Sequence, residues 1–472
     1  MKSEKRKAWS FCRAMVFALF ALAFFAFFGC DAPTNSDTKV TYDTAQTENA
    51  SDEIPKADTS KNTDSDAERE EAQKKAEEEK KSEEESGENE DSEKDALGDF
   101  DSYVIGFDAS AVDYYENNGD EKGAVTWKDT DGTTIEFFAL LAKYGYNTVR
   151  LRIWNDPSKA PSGADTTGDN TLERTISMAK RIKSAGLKLM LDFHYSDTWA
   201  DPSRQIVPSD WQSLTSVEAV ANAISEYTTE VLTALKEQAA VTPYYVQIGN
   251  EINNGLLLHT GYNSSTTYES GDFAYAGEKS SENVVTYLAA ASKAVRDFNQ
   301  NIRIVVHVTS SNSPTILLDK LKMGNLDYDV IGLSYYPWEN HGTIAQMKNN
   351  VSSWKTTYGK DVLIAETSFY CADNDNGTTY TKDITNLTKA KSNLIDPSTG
   401  AVYVDLDLDS ESKYVRGSVS NQTKVLVHVN DTAKEAGSIG IFTWGGEIRD
   451  WSHGMFTWGG VAYESIGAFK SE

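Results

Sequence analysis

Eight short runs of apolar and β-branched residues, separated by amphipathic stretches, recur through residues 101–472 of this chain, and that alternation limits its fold more than any other feature. The runs are Tyr103 to Asp108, Thr148 to Ile153, Leu187 to Phe193, Tyr244 to Ile248, Ile302 to Val308, Val330 to Ser334, Val362 to Ala365 and Ile439 to Trp444. Several are almost unbroken in apolarity, the pattern of parallel strands covered on both faces. Helical periodicity fills the gaps over Leu172 to Ala185, Val217 to Ala239, Glu282 to Asn299, Pro314 to Met323 and Ile344 to Tyr358. Ala185-Gly186 is a stop signal before the third run. Strand then helix, eight times, predicts an α/β fold in which a parallel sheet closes into a (β/α)8 barrel. An open doubly wound sheet is the alternative, but it uses a glycine-rich first turn, and here the chain reads GFDASAVDYY. Two connections are long, Asn253 to Ser281 and Phe369 to about Asn421, as expected of decorated βα loops. Alternating Val402, Val404, Leu406 and Leu408 in the second suggest a hairpin or strand outside the barrel.

The first hundred residues are of a different kind. Lys2, Lys5, Arg6, Lys7 and Arg13 precede an apolar run from Ala14 to Phe28 that ends in Gly29-Cys30, a signal-peptide layout. The run is shorter than the roughly 20 residues of a permanent membrane span. Residues 1–30 are therefore expected to be a lipoprotein-type leader with Cys30 the acylated residue, an uncleaved signal anchor being the alternative. Either places the remainder outside the cytoplasm, at a bacterial cell surface, in a periplasm or secreted. With Cys12 removed and Cys30 acylated, Cys371 is the only thiol left, so no intrachain disulfide is expected. Residues 31–100 hold 24 acidic and 9 basic side chains, with Tyr42 and Phe100 their only aromatics. Such a segment buries too little apolar surface to offset ordering and reads as a disordered acidic tether. It accounts for more than half of the formal net charge of −27, and acidity of this degree argues against nucleic acid as a partner. Residues 101–472 are left as one catalytic barrel, expected to be monomeric.

On a barrel of this kind the reactive groups stand at the C-terminal strand ends. Glu251 follows Asn250 at the end of the fourth run, and Glu366 ends the seventh. Runs four and seven lie on roughly opposite sides of an eight-strand barrel, so the two carboxylates can face each other across a cleft. Glycoside hydrolysis needs such a pair, one to protonate the leaving oxygen and one to attack or to activate water. A single glutamate at a strand end is more often a loop cap or an ion-pair partner; two at these positions, one preceded by Asn250, favour the catalytic reading.

The segments GFDAS, NTVRLRIWNDP, DFHYSDTWADPSRQ, VQIGNEINNGLL, GLSYYPW and VLIAETS together resemble glycoside hydrolase family 53, the arabinogalactan endo-β-1,4-galactanases, over nearly all of residues 103–370. The resemblance implies a retaining (β/α)8 glycosidase that cuts galactan by double displacement, with Glu251 as acid/base and Glu366 as nucleophile. It gives Asn250 the sugar 2-hydroxyl. Arg152 is a fixed cation suited to holding Glu366 ionised, and Tyr335 or Tyr336 can orient the same carboxylate. His194 can donate to substrate or to a carboxylate, and Asn155 joins this supporting set. Sugars present apolar C–H faces, so Trp154, Trp199, Trp338 and Trp444 are candidate platforms, Trp444 foremost. After the eighth run the chain reads TWGGEIRDW, where the resemblance implies a WEP-type segment. Mannan, xylan or β-glucan therefore stay open as substrates, as does a barrel that captures glycan without cutting it. No redox cofactor is called for. DNDNG (Asp373 to Gly377) carries alternating oxygen ligands at Asp373 and Asp375, either a structural calcium loop or a plain acidic turn.

Overall fold

The barrel strands are buried on both faces, apart from the partly exposed Ile105, Lys188, Arg303 and Asp361, in the computed structural model, which describes residues 97, 102–117, 123–261, 276–311, 313–372, 381–394, 405–449 and 451–470. Eight strands, β1 (Val104–Asp108), β2 (Thr148–Ile153), β3 (Lys188–Phe193), β4 (Tyr245–Ile248), β5 (Arg303–Thr309), β6 (Val330–Ser334), β7 (Asp361–Thr367) and β8 (Gly440–Thr443), form a closed barrel. Each pairs in parallel with its sequence neighbours, and β8 returns to β1 with Val104 opposite Gly440. β2 and β6 coincide with the runs read from sequence, and the others differ by one or two residues at an end. The leader, Cys30, the acidic tether, Asp373 and Asp375 lie outside the described residues.

The surrounding helices are α1 (Val112–Asn117), α2 (Phe137–Lys143), α3 (Leu172–Ser184), α4 (Val217–Ala239), α5 (Glu282–Phe298), α6 (Pro314–Met323), α7 (Ile344–Tyr358), α8 (Thr381–Asn393) and α9 (Val419–Glu435). Side-chain caps fix several starts: Thr171, Ser216, Ser281 and Ser418 each accept an N–H of the first turn, and Thr343 forms a reciprocal box with Gln346. The long segment after β7 departs from the sequence reading, because it contains α8. That helix is mostly polar, but Leu387 and Ala390, with Leu394 just past its end, are buried at helical spacing, and this stripe seats it. The expected hairpin reduces to a single antiparallel bridge between Leu408 and Val415, with Val402 and Val404 outside the described residues. The loop after β4 holds a short antiparallel ribbon, Gly255–Leu256 against Gly277–Glu278.

Alternate residues of each strand point into the barrel, and there the interior is built in two tiers. The lower is apolar: Val104, Met190, Tyr245, Val305, Val330, Leu363 and Phe442 form one buried cluster drawn from seven different strands. Two residues further along β3, β4 and β5 lie Asp192, Gln247 and His307, and Asp108 lies four beyond Val104, past Gly106; all are fully buried, with Arg150 of β2 beside them. The apolar tier is a floor and the polar tier a platform above it, toward the C-terminal strand ends. Gly106 is needed for the floor, because a Cβ there would occupy the Phe442 ring. We expect Gly106→Ala to destabilise the fold by about 1–3 kcal/mol through overpacking, read as a lowered midpoint in urea unfolding. A midpoint unchanged from wild type would mean that the floor is not tightly packed at this seam.

Candidate active site

The polar tier is organised by Arg150. Its side chain has no solvent exposure and reaches four strands at once. Nη1 donates to Asp108 Oδ2 at 2.7 Å, and Nε donates to Gln247 Oε1 at 3.2 Å. Nη2 donates to Asn250 Oδ1 at 2.8 Å and forms ion pairs with Asp192 Oδ2 at 2.8 Å and Glu366 Oε1 at 2.9 Å. Burial alone would favour a neutral guanidine, but the charges of Asp192, Glu366 and Asp108 outweigh it and hold Arg150 firmly protonated. Burial likewise opposes ionisation of Asp192, yet Arg150 and His194 keep its carboxyl below the ordinary range.

This corrects the role given to Arg152. Arg150, not Arg152, is the guanidinium on Glu366. Both lie on β2 and both face inward, but Arg152 stands one step higher, 3.5 Å from Asp108, with its guanidinium 4.0 Å from the centre of the Trp199 ring. Arg150 sits at the level where Asp108, Asp192 and Gln247 converge. The pairing of β2 with β3 did not offer the distinction, since Arg150 stands opposite Met190 of the apolar level and Arg152 opposite Asp192 of the polar one; the contacts of the Arg150 guanidinium decide it. Counting two residues beyond the apolar level would have picked out Asp192, Gln247 and His307, which were missed, as was Asp108.

Glu366 owes its position to an irregularity that no residue pattern announces. On β7, Leu363 and Ala365 face inward, so strict alternation would turn Glu366 outward. The register with β6 slips between Leu333 and Ser334, pairing Ser334 with Glu366, and the bulge turns the carboxylate into the barrel. There Tyr336 donates its hydroxyl to Glu366 Oε2 at 2.7 Å. Between the two tyrosines left open by sequence, Tyr336 is the one at Glu366. Tyr335 points away, fully buried, and donates to Gly342 O at 3.3 Å.

Glu251 has a left-handed backbone, φ 48°, directly after Gly249 and Asn250 at the end of β4. Gly249 is itself at φ 94°, and a Cβ there would meet Ile252 at 2.8 Å. Burial, and then the charge of Glu366, push the Glu251 carboxyl well above the usual range. Glu366 is raised as well by burial, but less far, because Arg150 and the Tyr336 hydroxyl favour its ionised form. Two carboxyls are thereby coupled in one site, with Glu251 the better holder of a proton.

The remaining expected residues fall into two groups. Asn250 is clamped, its Nδ2 donating to Ala200 O at 2.8 Å while its Oδ1 takes Arg150. His194 is buried and faces a carboxylate: Trp154 Nε1 and the Ala200 N–H, each 3.1 Å away, both donate to Nδ1, which places its proton on Nε2, 3.2 Å from Asp192 Oδ2. Trp154 is fully buried and serves as this strut rather than as a platform. Asn155 is partly exposed, and its backbone N–H donates to Ser196 O at 2.8 Å. Trp199, Trp338 and Trp444 are partly exposed. Trp444 packs edge-on to Trp199 at 6.2 Å, Tyr336 at 6.3 Å and Trp451 at 5.8 Å, forming an aromatic rim beside the carboxyls. Trp338 joins it through Tyr336 at 5.2 Å and donates Nε1 to Ser368 O at 3.0 Å.

A third carboxyl, Glu447 of the TWGGE segment, was also missed. It is buried, accepts the Ala111 N–H at 3.4 Å, and its pKa is pushed up to about 8 by burial and by Asp108, against the pull of Arg152. Among the described residues no group of three or more metal-ligating side chains is found.

A profile of glycosyl hydrolase family 53 matches residues 104–471. The chain belongs to this family. It is a glycoside hydrolase. The chain is 34% identical to an endo-β-1,4-galactanase of Bacillus subtilis over 279 residues, 58% of this chain and 59% of that protein. It is 32% identical to an arabinogalactan endo-β-1,4-galactanase of Cellvibrio japonicus over 278 residues, 58% of this chain and 67% of that one. Among solved structures, the family 53 catalytic domain of Ignisphaera aggregans superposes with a TM-score of 0.61 at 27% identity, over 80% of this chain and 97% of its own. One of two fungal β-1,4-galactanases gives 0.59 at 25%, over 78% of this chain and 99% of its own.

The two tyrosines provide a test of the geometry in this hydrolase. Losing a hydrogen bond to a charged group costs about 1.5–3 kcal/mol, so Tyr336→Phe should lower turnover by roughly tenfold to a hundredfold. Tyr335→Phe should leave turnover within about twofold and cost only about 1 kcal/mol of stability. Steady-state kinetics with thermal unfolding on both variants checks this. Equal turnover losses would contradict the assignment of Tyr336 to Glu366.

Proposed function

We propose that this hydrolase cuts internal β-1,4-galactosidic bonds of galactan and type I arabinogalactan with retention of configuration, using Glu366 as nucleophile and Glu251 as acid/base. The observation that carries the reading is the unequal treatment of the two carboxyls. Glu366 sits between a buried guanidinium at 2.9 Å and a phenol at 2.7 Å, both of which favour its charge. Among the described residues no cation forms an ion pair with Glu251, and burial beside Glu366 favours its neutral form. One group is kept as an anion to attack, and the other keeps a proton to give. The substrate is carried over from the names of the Bacillus and Cellvibrio relatives.

In the first half-reaction a Glu366 oxygen attacks the anomeric carbon while Glu251 passes its proton to the departing glycosidic oxygen. Forming the ester removes the charge of Glu366, and with it one of the two main causes that raise Glu251. Glu251 can then take a proton from the incoming water as the ester breaks. Asn250, held by Arg150 and Ala200, is read as the partner of the sugar 2-hydroxyl, and the aromatic rim as the surface that takes the C–H faces of the sugars.

Reducing-end release should appear on unbranched β-1,4-galactan and not on mannan, xylan or β-glucan, with short galacto-oligosaccharides as products. Glu251→Gln and Glu366→Gln should each lower the rate by about a thousandfold while galactan binding survives. The sign of the pH dependence follows from the two environments. The alkaline limb of kcat/KM reports loss of the Glu251 proton, so activity should persist above the range in which an ordinary carboxyl ionises. Activity on another polymer alone would move the substrate, and binding without release on all four would favour a glycan-capture protein.

The location of the enzyme is a second part of the proposal. Cys30, at the end of the apolar leader, is read as the acylated residue that tethers the barrel to a membrane through residues 31–100. Metabolic labelling with an alkynyl fatty acid should tag the wild-type chain and leave Cys30→Ser unlabelled. Equal labelling of the two would place the anchor elsewhere.

A further inference from the structure

Tyr336 stands where β6 leaves the barrel sheet, and a side chain rather than a strand receives its backbone N–H. The N–H of Tyr335 still reaches across to β7, donating to Glu366 O at 2.9 Å. Tyr336 next to it donates its N–H to His341 Nδ1 at 3.1 Å, five residues further on in the ENHGT segment. The same imidazole lies against the Tyr336 ring, with the ring centres 5.5 Å apart and the planes inclined at 42°. His341 thus holds both the backbone and the ring of the residue whose hydroxyl donates to Glu366 Oε2 at 2.7 Å.

The other anchors of this loop do not pass through the imidazole. The Glu339 N–H donates to Tyr336 O at 3.0 Å and closes a turn. Asn393 Nδ2, at the end of α8, donates to Pro337 O at 2.8 Å and to Glu339 O at 3.3 Å. Ser310 Oγ donates to His341 O at 2.6 Å, so the backbone of residue 341 is tied down independently of its ring. What the side chain adds is one acceptor for one amide and packing against one ring. Nδ1 can accept only while it carries no proton, which in the neutral ring then sits on Nε2. Burial, and then the charge of Lys389, push His341 down to about 4, so the ring is neutral at neutral pH.

We propose that His341 is a positioning residue for the nucleophile, acting through Tyr336: its Nδ1 takes the amide that β6 leaves without a strand partner and its ring packs against the phenol, which keeps the Tyr336 hydroxyl on Glu366. The proposal rests on the reading of Glu366 as nucleophile. A tyrosine hydroxyl is the far end of a long rigid side chain, so a small rotation at the backbone carries it off its partner. Hydrogen bonds weaken steeply with such misalignment, and this one favours the charged carboxylate that has to attack. A residue that acts only through the Tyr336 hydroxyl has nothing left to position once that hydroxyl is removed, so its effect must vanish in Tyr336→Phe.

A double-mutant cycle separates this role from a merely structural one. Wild type, His341→Asn, His341→Gln and His341→Ala are compared on galactan, each alone and combined with Tyr336→Phe, with thermal unfolding of every variant. Asn offers an amide oxygen near the Nδ1 position and Gln offers one near Nε2, so only Asn retains the acceptor for the Tyr336 N–H. His341→Gln and His341→Ala should each lose about fivefold to tenfold in kcat, the scale of one hydrogen bond. KM should stay within about twofold, because the contact serves the transition state. His341→Asn should recover most of the loss. In the Tyr336→Phe background the same replacements should cost less than about twofold more. Losses of equal size in both backgrounds, or an Asn variant no better than Gln and Ala, would overturn the proposal. A dinitrophenyl 2-deoxy-2-fluoro-β-1,4-galactobioside, which slows breakdown of a glycosyl ester, keeps this failure apart from that of the nucleophile reading. Peptide mass spectrometry should find the ester on Glu366. Label on Glu366 together with an additive cycle removes the positioning role alone, whereas label on another carboxyl removes the nucleophile reading and the proposal with it.

Discussion

The rest of this site depends on one buried guanidinium. Arg150 is the cation at which Asp108, Asp192 and Glu366 meet, and it bonds the side chain of Asn250 as well. A charge in that position is tolerable only because its carboxylate partners repay its desolvation, and they in turn can be ionised there only because of it. The arrangement favours the charge of Glu366 without exposing it to water. Removing the cation would leave several buried carboxylates facing one another, so the platform must fold as a unit. Cleft polarity is thus built into the barrel interior rather than added by loops.

The two tiers of the interior explain how so polar a centre coexists with a stable barrel. The floor of Val104, Met190, Tyr245, Val305, Val330, Leu363 and Phe442 is dry and close-packed, and the platform rests on it. Because parallel strands present alternate residues to the interior, moving two positions along a strand changes tier. Helices and loops then add the outer parts: the aromatic rim comes from the segments after β3, β6 and β8, and His194 braces the first of these through Trp154 and the Ala200 amide. The segment after β8, where the chain departs from the expected WEP-type sequence, supplies Trp444, Trp451 and the buried Glu447.

Much of this was legible in the residues, and for identifiable reasons. Eight runs with matching helical patterns specify a barrel because hydrophobic periodicity is local, and all eight strands fall where it puts them. Glu251 and Glu366 were found because strand ends are where barrel chemistry stands. Arg150 was passed over in favour of Arg152 because both occur in one motif, and only the depth of each along β2 separates them. α8 was read as loop because its apolar stripe is thin, three buried side chains amid polar sequence.

By itself the sequence determined the barrel, the order of its strands, the pair of carboxyls and the acidic, aromatic-poor character of residues 31–100, since each follows from composition or from spacing between near neighbours. Only the tertiary structure decided which cation stands at Glu366, which tyrosine donates to it, and that His307 accepts the backbone N–H of Glu251. Those choices turn on contacts between strands far apart in the chain and on a register slip between β6 and β7. A one-residue bulge reverses the direction of a side chain without leaving a mark in the pattern of apolar residues.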